Sequence, residues 1–198
     1  WGNNSYGVST LPEGLSYVIA IAGGYQHSFA LQSDGTVVGW GRDNYGQSTV
    51  PDGLTNVIEI AGGTYHSLAL QSDGTVVAWG YDYWGQSTVP GGLSDVVAIA
   101  GGDQHSLALQ SDGTVVSWGI YSYGISIVPE GLSDVIAIAG GQQHSLALQS
   151  DGTVVGWGRD NYGQSTVPEG LTDVIAIAAG DFYSLALQSD GTVVAWGN

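Results

Sequence analysis

Apolar and small or polar positions alternate along most of the chain with the period of two that marks β-strands, and no stretch carries a helical period. In one unit, Val57-Ile58-Glu59-Ile60-Ala61 leads through Gly62-Gly63 into His66-Ser67-Leu68-Ala69-Leu70, which turns at Asp73-Gly74 into Thr75-Val76-Val77-Ala78-Trp79. β-branched and aromatic residues dominate these segments, and Asp-Gly supplies the positive φ of a tight hairpin. A shorter run, Gln86-Ser87-Thr88-Val89, stops at Pro90, which suits an edge strand because proline cannot donate to a ladder. Each unit therefore predicts a small antiparallel sheet of three long strands and one short one.

The unit recurs. Trp1, Trp40, Trp79, Trp118, Trp157 and Trp196 fall at a constant spacing of 39, each followed by Gly, so five whole units begin at the first five of them. The unit starting at Trp40 matches the one starting at Trp157 at 32 of 39 positions. A lone four-stranded sheet cannot bury both faces, whereas like sheets packed around an axis can. The fold class expected is all-β, a five-bladed β-propeller forming a single domain over residues 1–198. Small residues of the Val-Ile-Ala-Ile-Ala-Gly-Gly run suit the crowded axis, and the tryptophans suit the gaps between blades. The terminal strand ends at Asn198, at the phase where Trp1-Gly2-Asn3 begins. That matching phase predicts ring closure, with residues 7–12 adding the missing short strand beside residues 192–197, and a closed ring predicts a monomer.

Charge then narrows the function classes. Eighteen Asp and Glu face only Arg42 and Arg159, with no lysine, for a formal charge of −16 at pH 7. Such a surface repels phosphate backbones and anionic lipid, which argues against nucleic acid as a partner, and no apolar run has the length for membrane insertion. Cysteine is absent, which removes disulfides, thiolate nucleophiles and cysteine-held metals. Methionine is absent too, including at position 1, and a cleaved signal peptide with an extracellular, secreted protein is the expectation.

Little in the repeat points to catalysis or to a cofactor. His27, His66, His105 and His144 share one phase, with Tyr183 in the fifth, which reads as a side chain hydrogen-bonded inside each blade and not as a metal ring. Each histidine precedes a serine, and neighbours on a strand point to opposite faces, so the two cannot form a nucleophile–base pair within one blade. The Asp-Gly pairs from Asp34, Asp73, Asp112, Asp151 and Asp190 lack the alternating acidic ligands of a calcium loop and are explained by the hairpin turn.

The informative positions are those where the copies differ. One variable cluster follows the Gly-Gly phase and includes Tyr25, Tyr65, Asp103 and Phe182; the other follows Trp-Gly and includes Arg42, Asp43, Tyr81, Tyr83, Trp84, Tyr121, Tyr123, Arg159 and Asp160. Strand parity carries both clusters to one end of the propeller and leaves the Asp-Gly turns at the other. Aromatic residues beside Asp, Asn, Gln and Arg are the mixture that recognition surfaces use, so these thirteen residues are the candidate ligand-binding set.

The pattern Ala-Gly-Gly-x-x-His-Ser-Leu-Ala-Leu, then Asp-Gly-Thr-Val-Val-x-Trp-Gly, then Gly-Gln-Ser-Thr-Val-Pro resembles the regulator of chromosome condensation repeat, over the whole chain. It looks most like the bacterial secreted branch that includes beta-lactamase inhibitory protein II. Members of this kind commonly form seven blades, against the five units here. The resemblance implies a noncatalytic binding module that recognises a protein partner, in the manner of an inhibitor. A multivalent lectin binding a glycan, and a structural module of a larger assembly, are the alternatives; an enzyme is not expected, because no unrepeated acid–base or nucleophile set is present.

Overall fold

The computed structural model describes residues 4–198, so the unit start at Trp1 lies outside the described residues. Fifteen strands form five three-stranded antiparallel sheets, each in simple sequential order. The first holds β1 (Val18–Gly23), β2 (His27–Gln32) and β3 (Val37–Gly41), and the second β4 (Val57–Gly62), β5 (His66–Gln71) and β6 (Val76–Gly80). The third, fourth and fifth repeat the arrangement with β7 (Val96–Gly101) to β9 (Val115–Gly119), β10 (Val135–Gly140) to β12 (Val154–Gly158), and β13 (Val174–Ala179) to β15 (Val193–Gly197). The expected blade count and the three long strands per blade are therefore present.

Local chemistry sets each sheet. At the β2–β3 turn, Asp34 Oδ1 accepts the Thr36 N–H at 2.9 Å and Gly35 takes φ +83, and the same Asp-Gly-Thr turn closes the hairpin in every blade. A register shift near the start of each inner strand, between Val57 and Glu59 for example, bends the strand and adds twist.

Blades pack by one repeated contact. Phe29, Leu31 and Val37 of the first blade seat Val57, Ile60, Ala69 and Trp79 of the second, with the Phe29 and Trp79 rings edge-to-face at 5.5 Å. The tryptophans thus fill the gaps between blades, as the sequence suggests.

Two expectations are corrected. Gln86–Val89 and its equivalents are turns and bends, not a fourth strand. The leading carbonyl of each such segment is spent on the middle and outer strands of the following blade: Gln86 O accepts Trp118 Nε1 at 2.9 Å and Ser106 Oγ at 2.8 Å. The same rule places the N-terminal segment. Val8 O accepts Trp40 Nε1 at 2.9 Å, so residues 7–12 serve the outer edge of the first blade and do not pair with residues 192–197.

The ring is accordingly open among the described residues. Backbone links tie each blade to the next (Tyr25 N to Gly63 O, Thr64 N to Gly102 O, Asp103 N to Gly141 O, Gln142 N to Gly180 O), and no fifth link runs from Asp181 to the first blade. Ile21 is 80% exposed where Ile60 is 7%, and Val193 is 62% exposed where Val76 is 7%. Burying such a side chain fully is worth about 1.5–3 kcal/mol, so each free face of the arc forgoes a gain that the inner blades take.

Candidate functional site

The loops after Trp-Gly and after Gly-Gly meet at one end of the arc, as strand parity requires. Within each blade they are clamped by a backbone bond: Arg42 N donates to Gln26 O at 2.7 Å, Tyr81 N to Tyr65 O at 2.8 Å and Arg159 N to Gln143 O at 2.8 Å. The Trp-Gly loops are held from below by one carboxylate. Asp43 Oδ1 accepts the Ser48 and Thr49 N–H groups at 2.8 and 3.0 Å, and Oδ2 accepts Thr49 Oγ1 at 2.6 Å. Asp160 makes the matching bonds to Ser165 and Thr166. Partial burial works against ionisation of both, but these donors outweigh it and hold each carboxyl below its ordinary value. Asp43 and Asp160 thus act as loop pins, with their oxygens engaged inside their own loops.

Position 121 takes a tyrosine where the pinning aspartate stands in other blades. That loop folds as a short 3-10 turn over Ser122–Gly124, with Tyr123 at φ 59, and leaves Tyr121 and Tyr123 exposed.

The structure brings most of the candidate aromatics together on the first two blades. Tyr25 meets Tyr65 edge-on at 6.3 Å, Tyr65 meets Tyr45 at 5.5 Å and Tyr81 at 6.2 Å, and Tyr81 stacks on Tyr83 at 6.3 Å, which abuts Trp84 at 4.7 Å. Arg42 lies over the Tyr6 and Tyr65 rings, 5.2 and 5.3 Å from their centroids, and donates through Nη1 to Gln26 Oε1 at 2.6 Å. Its guanidinium is therefore oriented before any ligand arrives. Tyr6 and Tyr45, which lie outside the candidate set because an aromatic recurs at their phase of the repeat, also belong to this run.

A second, smaller group spans the loops of the third to fifth blades. Arg159 lies over Tyr123 at 5.1 Å and donates to Gln143 Oε1, and Tyr162 meets Phe182 at 5.4 Å. Between the groups, the Gly-Gly region of all five blades lines an axial cavity of about 210 Å³, with Tyr25, Thr64, Asp103, Gln142 and Asp181 at its mouth. Burial raises the Asp103 carboxyl above its ordinary value, Thr64 partly opposes this, and Asp181 adds repulsion. Among the described residues, no group of three His, Asp or Glu side chains is placed to hold a metal ion, and no helix is long and apolar enough to cross a membrane.

The histidines are buried, but their partners lie in the next blade and not in their own. His27 Nε2 sits 3.0 Å from Ser67 Oγ, and His66, His105 and His144 reach Ser106, Ser145 and Ser184 at 2.9 Å. Ser67, Ser106 and Ser184 give their only hydroxyl proton to the carbonyls of Gln47, Gln86 and Gln164, so the imidazole must donate through Nε2. These sealed pairs stitch blades together and leave the serines no access to a substrate. Alternation told which sheet face each residue takes, but not that the two faces meet.

The chain belongs to the regulator of chromosome condensation (RCC1) repeat family, whose model matches residues 18–47, 57–86, 96–125, 135–164 and 174–198. Comparison with curated protein sequences finds no match. Among solved structures, the ectodomain of the receptor kinase CR4 from the moss Physcomitrella patens is 27% identical, with a TM-score of 0.84 over 99% of this chain and 56% of that one. Prp20p from Saccharomyces cerevisiae, described with its binding properties to Gsp1p and histones, is 25% identical, with a TM-score of 0.78 over 94% of this chain and 58% of its own. Human WBSCR16 shares the fold at 23% identity and a TM-score of 0.74, over 91% of this chain and 61% of its own. The chain thus spans little more than half the length of each of these relatives.

Proposed function

We propose that this chain is a noncatalytic binding module that recognises a protein partner through the loop end of its first two blades. The observation that carries this reading is the unbroken run from Tyr25 through Tyr65, Tyr45 and Tyr81 to Tyr83 and Trp84, with Arg42 braced across it. Aromatic rings and Arg are the side chains most often found as energetic anchors in protein interfaces, and rings packed on one another lose little freedom on binding. The run is not repeated around the arc, which favours one large partner over the several equal subsites of a lectin.

The reading extends to an extracellular setting and to the secreted inhibitor branch of the family. The likeness of the repeat to that branch supports it, as does the fold shared with the ectodomain of a moss receptor kinase. The arginine, asparagine and aromatic chemistry of the Arg42 loop recurs only at Arg159, so a glycan would find at most two related sites.

The experiment is a pull-down with the purified chain, identification of the captured protein, and titration of that protein against variants. Removing one anchor by Tyr83→Ala or Trp84→Ala is expected to cost about 2 kcal/mol, roughly thirtyfold in affinity, without changing the fold. Thr114→Ser, at the far end of the propeller, is expected to leave affinity unchanged. Binding that survives both aromatic changes and is lost on altering the Asp112 or Asp151 turns contradicts the reading. A glycan array that lights up equally for the parent and for the Tyr83→Ala variant points instead to the lectin.

A further inference from the structure

The axial cavity is walled by main chain. Each blade gives it the Gly-Gly step at the end of its inner strand, or Ala179-Gly180 in the fifth blade. A Cβ at Gly63 would stand 2.6 Å from Gly102 O and one at Gly141 2.7 Å from Gly180 O, so the wall stays bare of side chains. Five longer side chains reach it, those of Tyr25, Thr64, Asp103, Gln142 and Asp181. Two of them are carboxylates and none is a cation. Arg42 and Arg159, the only Lys or Arg residues of the sequence, lie outside the lining, where Gln26 and Gln143 engage them.

The polarity of the wall is one-sided. The N–H of each second glycine is spent inside its own blade, Gly63 N on His66 O for example, and the N–H of the residue after it on a glycine carbonyl of the next blade, as Thr64 N on Gly102 O. A carbonyl oxygen that accepts one such bond keeps a second lone pair. Such a wall favours a cation over an anion. Asp103 needs one: burial works against ionisation of its carboxyl, the Thr64 hydroxyl partly offsets this, and Asp181 adds repulsion. A cation beside the two aspartates relieves both penalties.

We propose that the axial cavity binds a primary alkylammonium ion, its ammonium held by the Asp103 and Asp181 carboxylates and the glycine carbonyls, its alkyl stem leaving through the mouth past Tyr25. Three N–H donors around one nitrogen suit oxygens contributed by several blades, whereas a guanidinium is a flat fork that pairs best with a single carboxylate. A bare divalent metal fits less well, because among the described residues no three His, Asp or Glu side chains converge. The ion has two sources, a lysine side chain of a protein partner or a free amine. The first source rests on the binding role proposed above; the site itself does not.

Titration of the isotope-labelled full chain with n-butylammonium chloride at constant ionic strength, followed by amide NMR, tests this. The signals of Gly63, Gly102 and Gly141 are expected to move and saturate. Those of Gly74 and Gly113, beside exposed aspartates at the far end, report general attraction to an acidic chain and are expected to stay in place. Asp103→Asn, which keeps the shape and removes the charge, is expected to weaken binding by about tenfold or more, as for loss of a hydrogen bond to a charged group. Asp181→Asn is expected to weaken it less, and the same spectra show that each variant is folded. Tyr83→Ala, outside the cavity, is expected to bind the amine as the parent does, so failure of this site and failure of the aromatic run are read separately. Addition of the captured partner to the saturated chain then assigns the source. Displacement of the amine that acetylation of the partner's lysines abolishes puts a partner lysine in the cavity, and retention of the amine assigns the site to a free amine; both uphold the site. Shifts at Gly74 and Gly113 equal to those at the axis, equal axial shifts with calcium chloride, or a parent-like titration of Asp103→Asn each overturn the proposal.

Discussion

Gly102→Ala is expected to destabilise the native fold severely. A Cβ at residue 102 would stand 2.0 Å from His105 Cε1 and 2.7 Å from Gly141 O, against a ring that is itself fully buried and a backbone that belongs to the next blade. Neither neighbour is the loose end of a flexible side chain. The imidazole can escape only by breaking its bond to Ser145, and the carbonyl only by moving the fourth blade, so the strain spreads across a junction that holds two halves of the arc together. Overpacking a close-packed site costs typically about 1–3 kcal/mol, and loss of the histidine contact adds to it, against a total stability of about 5–15 kcal/mol for a domain. Far-UV circular dichroism and thermal melting check the outcome. Gly85→Ala is the contrast: the site is open, but its φ of +79 strains a side chain, so a milder loss is expected there.

Acid is expected to unfold the protein well above the pH at which its carboxylates titrate. Burial pushes His27, His66 and His144 down to about 4, and His105, also repelled by His66 and His144, to about 3. Between pH 6.5 and 4 the unfolded chain takes up protons on these rings while the native chain does not. The unfolded state therefore gains, and stability falls as pH falls. All four rings act in the same direction, each withdrawing stability as pH falls from 6.5 toward 4. Glu59 and Asp103, both raised by burial, act with the opposite sign and offset part of the loss. The hairpin aspartates, such as Asp112, are held low chiefly by the Thr114 N–H and add their loss only below the ordinary carboxylate range. Urea midpoints measured from pH 8 to 4 should drop steeply below pH 6.5. His105→Gln, neutral throughout, should flatten the curve and move the acid transition downward. A parent midpoint that holds constant to pH 4.5 contradicts the buried neutral ladder.

Much of this architecture is legible in the sequence because the repeat presents it five times. Strand boundaries, the Asp-Gly-Thr turns and the packing of Trp79 between blades all follow from alternation and residue type. What alternation cannot supply is which surface meets which. The first and last blades carry the same outer-edge residues, Trp40 and Ser28 in one and Trp196 and Ser184 in the other, so the pattern alone does not choose where residues 7–12 dock. The structure docks Val8 on Trp40, the edge that every other segment of its type would take. Likewise Gln86–Val89 has strand-like composition but serves a neighbouring indole and a serine, and its backbone forms no ladder.

The candidate site is legible to a similar depth. Comparing copies picks out the loop end and most of its aromatics. That comparison does not reveal that Asp43 and Asp160 pin their own loops, because a carboxylate in a variable loop looks the same whether it faces a ligand or holds the loop from within. It also undervalues Tyr6 and Tyr45, which repeat in phase and yet stand in contact with the residues that vary. Only side-chain geometry separates these cases: four donors surround Asp43, whereas Tyr45 packs at 4.7 Å on Tyr81.

The central claim, that recognition belongs to the aromatic run and not to the far end of the propeller, is tested most directly by hydroxyl-radical footprinting of the chain with and without its captured partner. Exposed tyrosine and tryptophan side chains are labelled, and the protein supplies its own control. Tyr25, Tyr83 and Trp84 are exposed at the loop end, whereas Tyr17, 84% exposed, lies beside the Asp-Gly turn at the opposite end, where its carbonyl accepts the Ser33 N–H. The partner is expected to suppress labelling of Tyr25, Tyr83 and Trp84 and to leave Tyr17 as reactive as before. Protection of Tyr17 with Tyr83 and Trp84 still fully labelled would contradict it.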